Sequence, residues 1–335
     1  MSSSAARIHR ITLIPLVLAG FLTGCNLRII GPPPGSSVGM AVGSKQILLF
    51  QEEITHGMRL GMPSVVKTIT GAEVRLAKPV AVGGYGSDVY ISDAVNRSIY
   101  RYNTIGRGFH ELKDAGSLLV GESSQIHVAP DQTFFVVDPF GNQVLQFDRN
   151  GALKRDYKDF KNVPQPMAVV TDPTSGHVRI ADGTHGYVVV FNRLGQPLFA
   201  TGSRGSDKGQ FLMITAMSQG VDGLYVVDRL RQDVQVLSTE GSYLYAFGKG
   251  NMVFPTAIVV DRANRVFVAD SQDNTIKIFK NSQLIDTVGG SGNAPGQFHG
   301  VSSMWLSQDD LLYVADSLNG RVQVFRVLAD SSTQK

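Results

Sequence analysis

Six aspartates stand at nearly even intervals along the chain: Asp93, Asp138, Asp182, Asp228, Asp270 and Asp316, separated by 45, 44, 46, 42 and 46 residues. A carboxylate can hold a metal, move a proton or clasp backbone N–H groups. The first two tasks need a few unlike residues converging on one point. The same residue at the same place in every repeat speaks for the third. Each aspartate ends a short apolar run and begins a polar turn, as in LYVADSLNGRVQVF at residues 312–325. The six are therefore expected to lock turns by accepting backbone N–H bonds. Asn96, Asn142, Asn274 and Asn319, three or four residues after four of them, suit left-handed turn positions.

Other reactive side chains are sparse. His127 lies within the apolar run IHVAP and His299 just before another, MWLS. Two histidines do not make a tetrahedral site, so His127 is expected to be a satisfied wall residue and is at most a weak metal candidate. Nucleophile-elbow, phosphate-loop and HExxH patterns are absent. The residues supply no catalytic set and imply no cofactor. The chain's one cysteine, Cys25, excludes a disulfide within it.

The elements around the aspartates repeat as closely as the aspartates do. Six residues after each comes Ile99, Val144, Val188, Val234, Ile276 or Val322, always β-branched; nine after comes Tyr102, Phe147, Phe191, Leu237, Phe279 or Phe325. Another apolar run precedes each aspartate hairpin and a fourth run ending in glycine follows it, as in PLFATGSRG and YLYAFGKG. A period in the forties built from strands is the signature of propeller blades. The expected fold is all-β, a six-bladed β-propeller of four-stranded antiparallel blades. Charged residues, 18% of the chain, fall below the usual quarter, as suits extensive buried sheet. A net charge of +3 with scattered basic residues gives no footprint for nucleic acid.

The linkers GSDKGQF (205–211) and GNAPGQF (292–298), with FPTAIVVD…RVFVAD…NTIKIF (254–279), resemble NHL repeats over some 250 residues of the chain. WD repeats fit poorly, since the only tryptophan is Trp305, and kelch repeats have a longer period. The resemblance implies a closed ring. The sixth unit ends at RVQVFRV (321–327) without a fourth strand, and SVVKTITGAE (64–73) copies the pattern of LIDTVGGSG. Residues 65–69 are therefore expected to close the last blade and remove an exposed edge. Some propeller enzymes resemble this fold: amidating lyases hold a channel zinc on histidines, and lactonase-like hydrolases hold a divalent cation on Glu, Asn and Asp. Here the inner strands begin Lys78-Pro79, Ser124-Gln125, Gln165-Pro166, Ile214-Thr215, Pro255-Thr256 and Ser302-Ser303, without His, Asp or Glu. Such an enzyme stays as the alternative reading.

The N-terminus resembles a bacterial lipoprotein signal. Arg7 and Arg10 precede an eleven-residue apolar run, ITLIPLVLAGF, too short to span a bilayer, and LTGC follows at residues 22–25. The resemblance implies cleavage before Cys25 and acylation of its thiol, which leaves a net charge of +1. The expected organisation is a signal peptide (1–24), a lipidated Cys25 with a Pro/Gly/Ser-rich tether (25–46), the propeller (47–327) and a tail (328–335). Residues 46–61 read as a strand or short helix packed on the propeller. The expected place is the bacterial cell envelope, in the outer membrane because Asn26 rather than Asp follows the cysteine.

With no catalytic set, function is expected on the loops. In a propeller the second-to-third turns and the inter-blade linkers share one face. That face is expected to carry Arg97, Phe140, His185, Tyr187, Arg229, Arg231, Gln272, Asp273, Asn319 and Arg321, with Met213 and His299 from linkers. The resulting expectation is a non-catalytic binding or assembly scaffold, monomeric within a complex. It would take an envelope protein as partner in preference to a glycan, and no nucleic acid.

Overall fold

The computed structural model describes residues 46–60, 73–119, 122, 125–157 and 163–329, and these form six sheets. The first blade holds β4 (Pro79–Tyr85), β5 (Asp88–Asp93), β6 (Ser98–Asn103) and β7 (Gly108–Glu111); the short helix α1 (Lys113–Ser117) follows. The second holds β8 (Gln125–Val128), β9 (Phe134–Asp138), β10 (Gln143–Phe147) and β11 (Leu153–Tyr157). In the third are β12 (Pro166–Thr171), β13 (Val178–Asp182), β14 (Tyr187–Phe191) and β15 (Pro197–Gly202). The fourth comprises β16 (Ile214–Gln219), β17 (Leu224–Asp228), β18 (Asp233–Leu237) and β19 (Tyr243–Phe247). The fifth comprises β20 (Pro255–Val260), β21 (Arg265–Asp270), β22 (Thr275–Lys280) and β23 (Gln283–Gly289). In the sixth, β24 (Val301–Leu306), β25 (Leu311–Asp316) and β26 (Arg321–Val327) are joined by β1 (Leu48–Ile54) from the front of the chain. This is a β-propeller of six four-stranded antiparallel blades. None of the described helices is long and apolar enough to cross a membrane.

The second strand of each blade is apolar at most positions before its aspartate because both faces of the blade are covered. In β9, Phe135 and Val137 enter the core shared with the third blade, while Phe134 and Val136 enter the one shared with the first. In β17, Leu224 and Val226 face one neighbour, Tyr225 and Val227 the other. Each hydrophobic cluster is shared by two successive blades, so the faces are buried only when the ring is complete.

An N-terminal strand closes the ring, but it is not the segment expected. The edge of β26 is taken by β1, with Leu48 opposite Val327 and Ile54 opposite Val322; residues 65–69 lie outside the described residues. Three apolar anchors explain the choice. Leu48 and Phe50 enter the core between blades five and six, where Phe50 meets Phe325 edge-on at 5.8 Å, and Ile54 enters the core between blades six and one. A bulge at Gln51 keeps all three buried despite their uneven spacing, and Arg321 Nη1 to Glu53 Oε2 at 2.8 Å fixes the register. The rest of the ambiguous stretch also serves the sheet: β2 (His56–Arg59) pairs parallel with β7, and β3 (Glu73–Arg75) pairs with β2.

The second-to-third turns share one backbone form. The fourth residue after each aspartate has positive φ: Arg97, Asn142, Gly186, Gln232, Asn274 and Gly320, between 50° and 69°. Asn142 and Asn274 are left-handed as the sequence suggests. In the other two turns the position falls to Arg97 and Gly320, one residue beyond Asn96 and Asn319.

Candidate functional site

The aspartates build the face on which the candidate residues sit. Asp228 Oδ2 accepts from Leu212 N at 2.6 Å, and its Oδ1 accepts from Met213, Leu230 and Arg231 N, each at 3.1 Å. Asp93 takes Ala77 and Lys78 N on one oxygen and Val95 and Asn96 N on the other. Asp270 takes Val253, Phe254 and Gln272 N, and Asp182 takes Gln165 and His185 N. Each of these four ties its own turn to the linker entering the inner strand of the same blade. Asp138 holds Gly141 N and Gln143 Nε2. Asp316 accepts from His299 N and from the side chains of Asn319, Arg321 and Gln323.

The ten candidate binding residues fall into three groups. Arg97, Phe140 and Gln272 are exposed turn residues. His185 stacks on Tyr187 at 5.3 Å, and the Arg229 guanidinium lies 4.6 Å over the Phe254 ring; His185, Tyr187 and Arg229 are half-buried. The remaining four are engaged by neighbouring groups, though Asp273 stays exposed. Arg231 bonds Asp233 and the carbonyl oxygens of Ser206 and Asp207. Asp273 pairs with Lys277, and Asn319 bonds Gly292 O and Asp316. Arg321 departs furthest from expectation. It is buried, with Nε on Asp316, Nη1 on Glu53 and Nη2 on the carbonyls of Ala294 and Gln297, so it is a closure residue and offers no exposed surface.

The same register reveals surface that residue-by-residue reading missed. The second residue after each aspartate is Val95, Phe140, Thr184, Leu230, Gln272 or Leu318. Four of these are apolar and exposed: Val95 64%, Phe140 72%, Leu230 56% and Leu318 59%. Linker residues Met213, Val253 and Phe254 add exposed apolar area on the same face. The signal lies in the repeat register, where four of the six residues at this position are apolar although a turn calls for polar ones. Beside Arg97 a cavity of about 200 Å³ runs between Asp93, Gly116, Leu119 and Glu122. Glu122 is paired with Lys78 at 2.8 Å.

In the channel wall, His127 is fixed to the next blade. Its Nε2 accepts from Thr171 N at 3.1 Å and lies 2.7 Å from Thr171 Oγ1. That lone pair is engaged, and the described residues contain no group of three His, Cys, Asp or Glu placed to hold a metal. Burial pushes the imidazole down to about 4, so it is neutral at pH 7. The unfolded chain takes up this proton near 6.5 and the folded chain only near 4, so acidification favours unfolding. Urea titrations at pH 7.5 and 4.5 should therefore show about 2–3 kcal/mol more acid destabilisation in the wild type than in His127→Gln.

Elsewhere the wall is stitched by hydroxyls: Thr215 Oγ1 donates to Pro255 O, Thr256 Oγ1 to Val301 O, and Ser317 Oγ to Pro79 O. These bonds join neighbouring blades where their inner strands begin, Ser317 reaching across from the turn after β25.

No family model matches the chain, and no curated protein matches it. Solved structures do. A streptogramin B lyase superposes with a TM-score of 0.57 at 10% identity, over 83% of this chain and 97% of that one. The virginiamycin B lyase of Staphylococcus aureus gives 0.55 at 11%, over 75% and 96%. A Bacteroides thetaiotaomicron protein of unknown function gives 0.57 at 12%, over 75% and 70%. At such identities the likeness shows the fold alone, a β-propeller, which this chain builds from six blades.

Proposed function

We propose that this protein is a lipid-anchored NHL-type propeller of the bacterial cell envelope that binds a partner protein, without catalysis, through the face of its second-to-third turns. The observation that carries the reading is the ring of exposed apolar residues at one repeat position, Val95, Phe140, Leu230 and Leu318, with half-buried Arg229 and Tyr187 beside it. The direction of β1 supports it. Leu48 lies at the far end of β26, where Leu328 N bonds Ile47 O and Leu328 O accepts from Arg265 Nη1. The polypeptide thus enters the propeller on the face opposite the turns.

A photo-crosslinker at position 140 or 230 of the native lipoprotein should yield one defined protein adduct, and one at Asn281 on the entry face should not. Phe140→Ser with Leu230→Ser should reduce co-purification of that protein at least about tenfold, with stability within about 0.5 kcal/mol of wild type. Absence of any adduct from the turn face would remove this reading.

The fold shared with two lyases favours a second reading, a lyase acting on a virginiamycin B-like compound. Consumption of virginiamycin B by the purified protein, abolished in His127→Ala, would support it against the first.

A further inference from the structure

On the entry face, between the fourth and fifth blades, lies a cleft of about 260 Å³ that neither of the foregoing readings uses. Tyr225, Tyr245 and Phe247 form its aromatic wall, and Asp222, Asn264 and Ser282 are among its polar residues. The polar groups are held in place by one another. Asp222 Oδ2 accepts from Tyr245 Oη at 2.6 Å and from Asn264 Nδ2 at 2.8 Å, and lies 3.1 Å from Tyr225 Oη. Tyr225 Oη also lies 2.8 Å from Asn264 Oδ1 and 3.2 Å from Tyr245 Oη.

A hydrogen count shows what remains for a ligand. Each tyrosine has one hydroxyl hydrogen, and Asn264 has two on Nδ2. With Tyr245 donating to Asp222 and Tyr225 to Asn264 Oδ1, one Asn264 N–H satisfies the carboxylate and its second is left over. No hydrogen bond among the described residues reaches Asp222 Oδ1. The cleft therefore presents a fixed acceptor and a fixed donor side by side against aromatic rings. Ser282 adds a hydroxyl at the rim: Asn281 and Ser282 form the turn between β22 and β23 with φ of 50° and 64°, where glycine is the usual second residue.

The chemistry selects among ligand classes. The hydrogen bonds from Tyr245 and Asn264 hold the Asp222 carboxyl below its usual range, so it is ionised at neutral pH; Lys280 also lines the cleft and offsets that charge, so no net positive field draws a phosphate or carboxylate. A single carboxylate is too few oxygen ligands for a bare cation. A wholly apolar ligand would leave the acceptor and donor unpaired. A neutral sugar ring meets all the conditions. Its C–H face covers an aromatic side chain, and two adjacent hydroxyls give a hydrogen to Asp222 Oδ1 and accept one from Asn264. We infer that the cleft formed by Asp222, Tyr225, Tyr245 and Asn264 is a binding site for a neutral saccharide. Its volume, below the roughly 300–1,000 Å³ of drug-sized pockets, suits one or two rings.

The test uses the full-length protein in detergent and a panel of glucose, galactose, mannose and N-acetylglucosamine with their β-linked disaccharides. Saturation-transfer NMR and calorimetry should find at least one member binding with a Kd of about 1 mM or tighter. Asp222→Asn, which preserves shape but loses the acceptor charge, should weaken it about tenfold or more, and Tyr245→Phe several-fold. Phe140→Ser on the opposite face should leave it unchanged, so this site and the turn face fail or stand separately. Circular dichroism checks that both cleft variants fold, and either one alone suffices for the comparison. Absence of binding by every member of the panel, or binding unchanged by the folded cleft variants, would overturn the assignment.

Discussion

Truncation of the chain to begin at residue 55 is expected to prevent folding of the propeller, whereas a chain beginning at residue 46 should fold normally. The shorter chain loses β1 and with it Leu48 and Phe50 from one inter-blade core and Ile54 from the next. Loss of three buried apolar side chains, at about 2–3 kcal/mol each, already approaches the whole stability of an ordinary domain. It also strips Glu53 from Arg321 and exposes the edge of β26, so the damaged ring has a strand edge open to aggregation. Gel filtration and circular dichroism of the two chains decide the matter. A soluble, cooperatively melting product starting at residue 55 would show that some other segment, such as residues 65–69, can close the last blade.

Asp228→Ala is expected to cost about 3–5 kcal/mol, well above the typical single substitution. The carboxylate satisfies four backbone N–H groups from two separate segments, and alanine leaves them without a partner next to a buried wall. The turn and linker residues of this clasp are only partly covered, so water replaces part of what is lost and keeps the cost below the sum of four charged hydrogen bonds. Asp228→Asn should recover only part of it, because the amide brings N–H donors to a place that needs acceptors. Urea unfolding supplies the comparison, with exposed Asp222→Ala as the reference for an aspartate that joins no linker. A loss under about 1 kcal/mol would mean that the clasp is redundant with strand pairing.

Much of the fold was legible because a repeat states its own period. The six aspartates, the β-branched residue six positions on and the large residue nine positions on are enough to mark the middle hairpin of every blade. The inner runs were also placed well: PVAVG, MAVVTD and AIVVD fall on β4, β12 and β20. The closing strand was not legible. Residues 64–73 copy the local pattern of a fourth strand, and local pattern cannot tell which of two upstream segments reaches the vacant edge. The segment that does, LLFQEEI, hides its periodicity behind a bulge at Gln51, which shifts the buried residues to positions 48, 50 and 54.

The turn face divides in the same way. Exposure of Phe140 and Arg97 follows from their place in a turn after a repeated aspartate. The fate of Arg321 does not, since its partners Asp316, Glu53, Ala294 and Gln297 come from separate stretches of chain. Nor could the entry-face cleft be read, because Tyr245 and Asn264 lie 23 and 42 residues beyond Asp222 and meet it only where two blades abut. By itself the sequence determined the number of blades, the strands within each and the turn aspartates, because these depend on periodicity and neighbouring residues. The tertiary structure alone decided which strand closes the ring, which charges are consumed and where side chains of different blades form a site. Those outcomes depend on contacts between segments far apart in the chain, which exist only once the circle is complete.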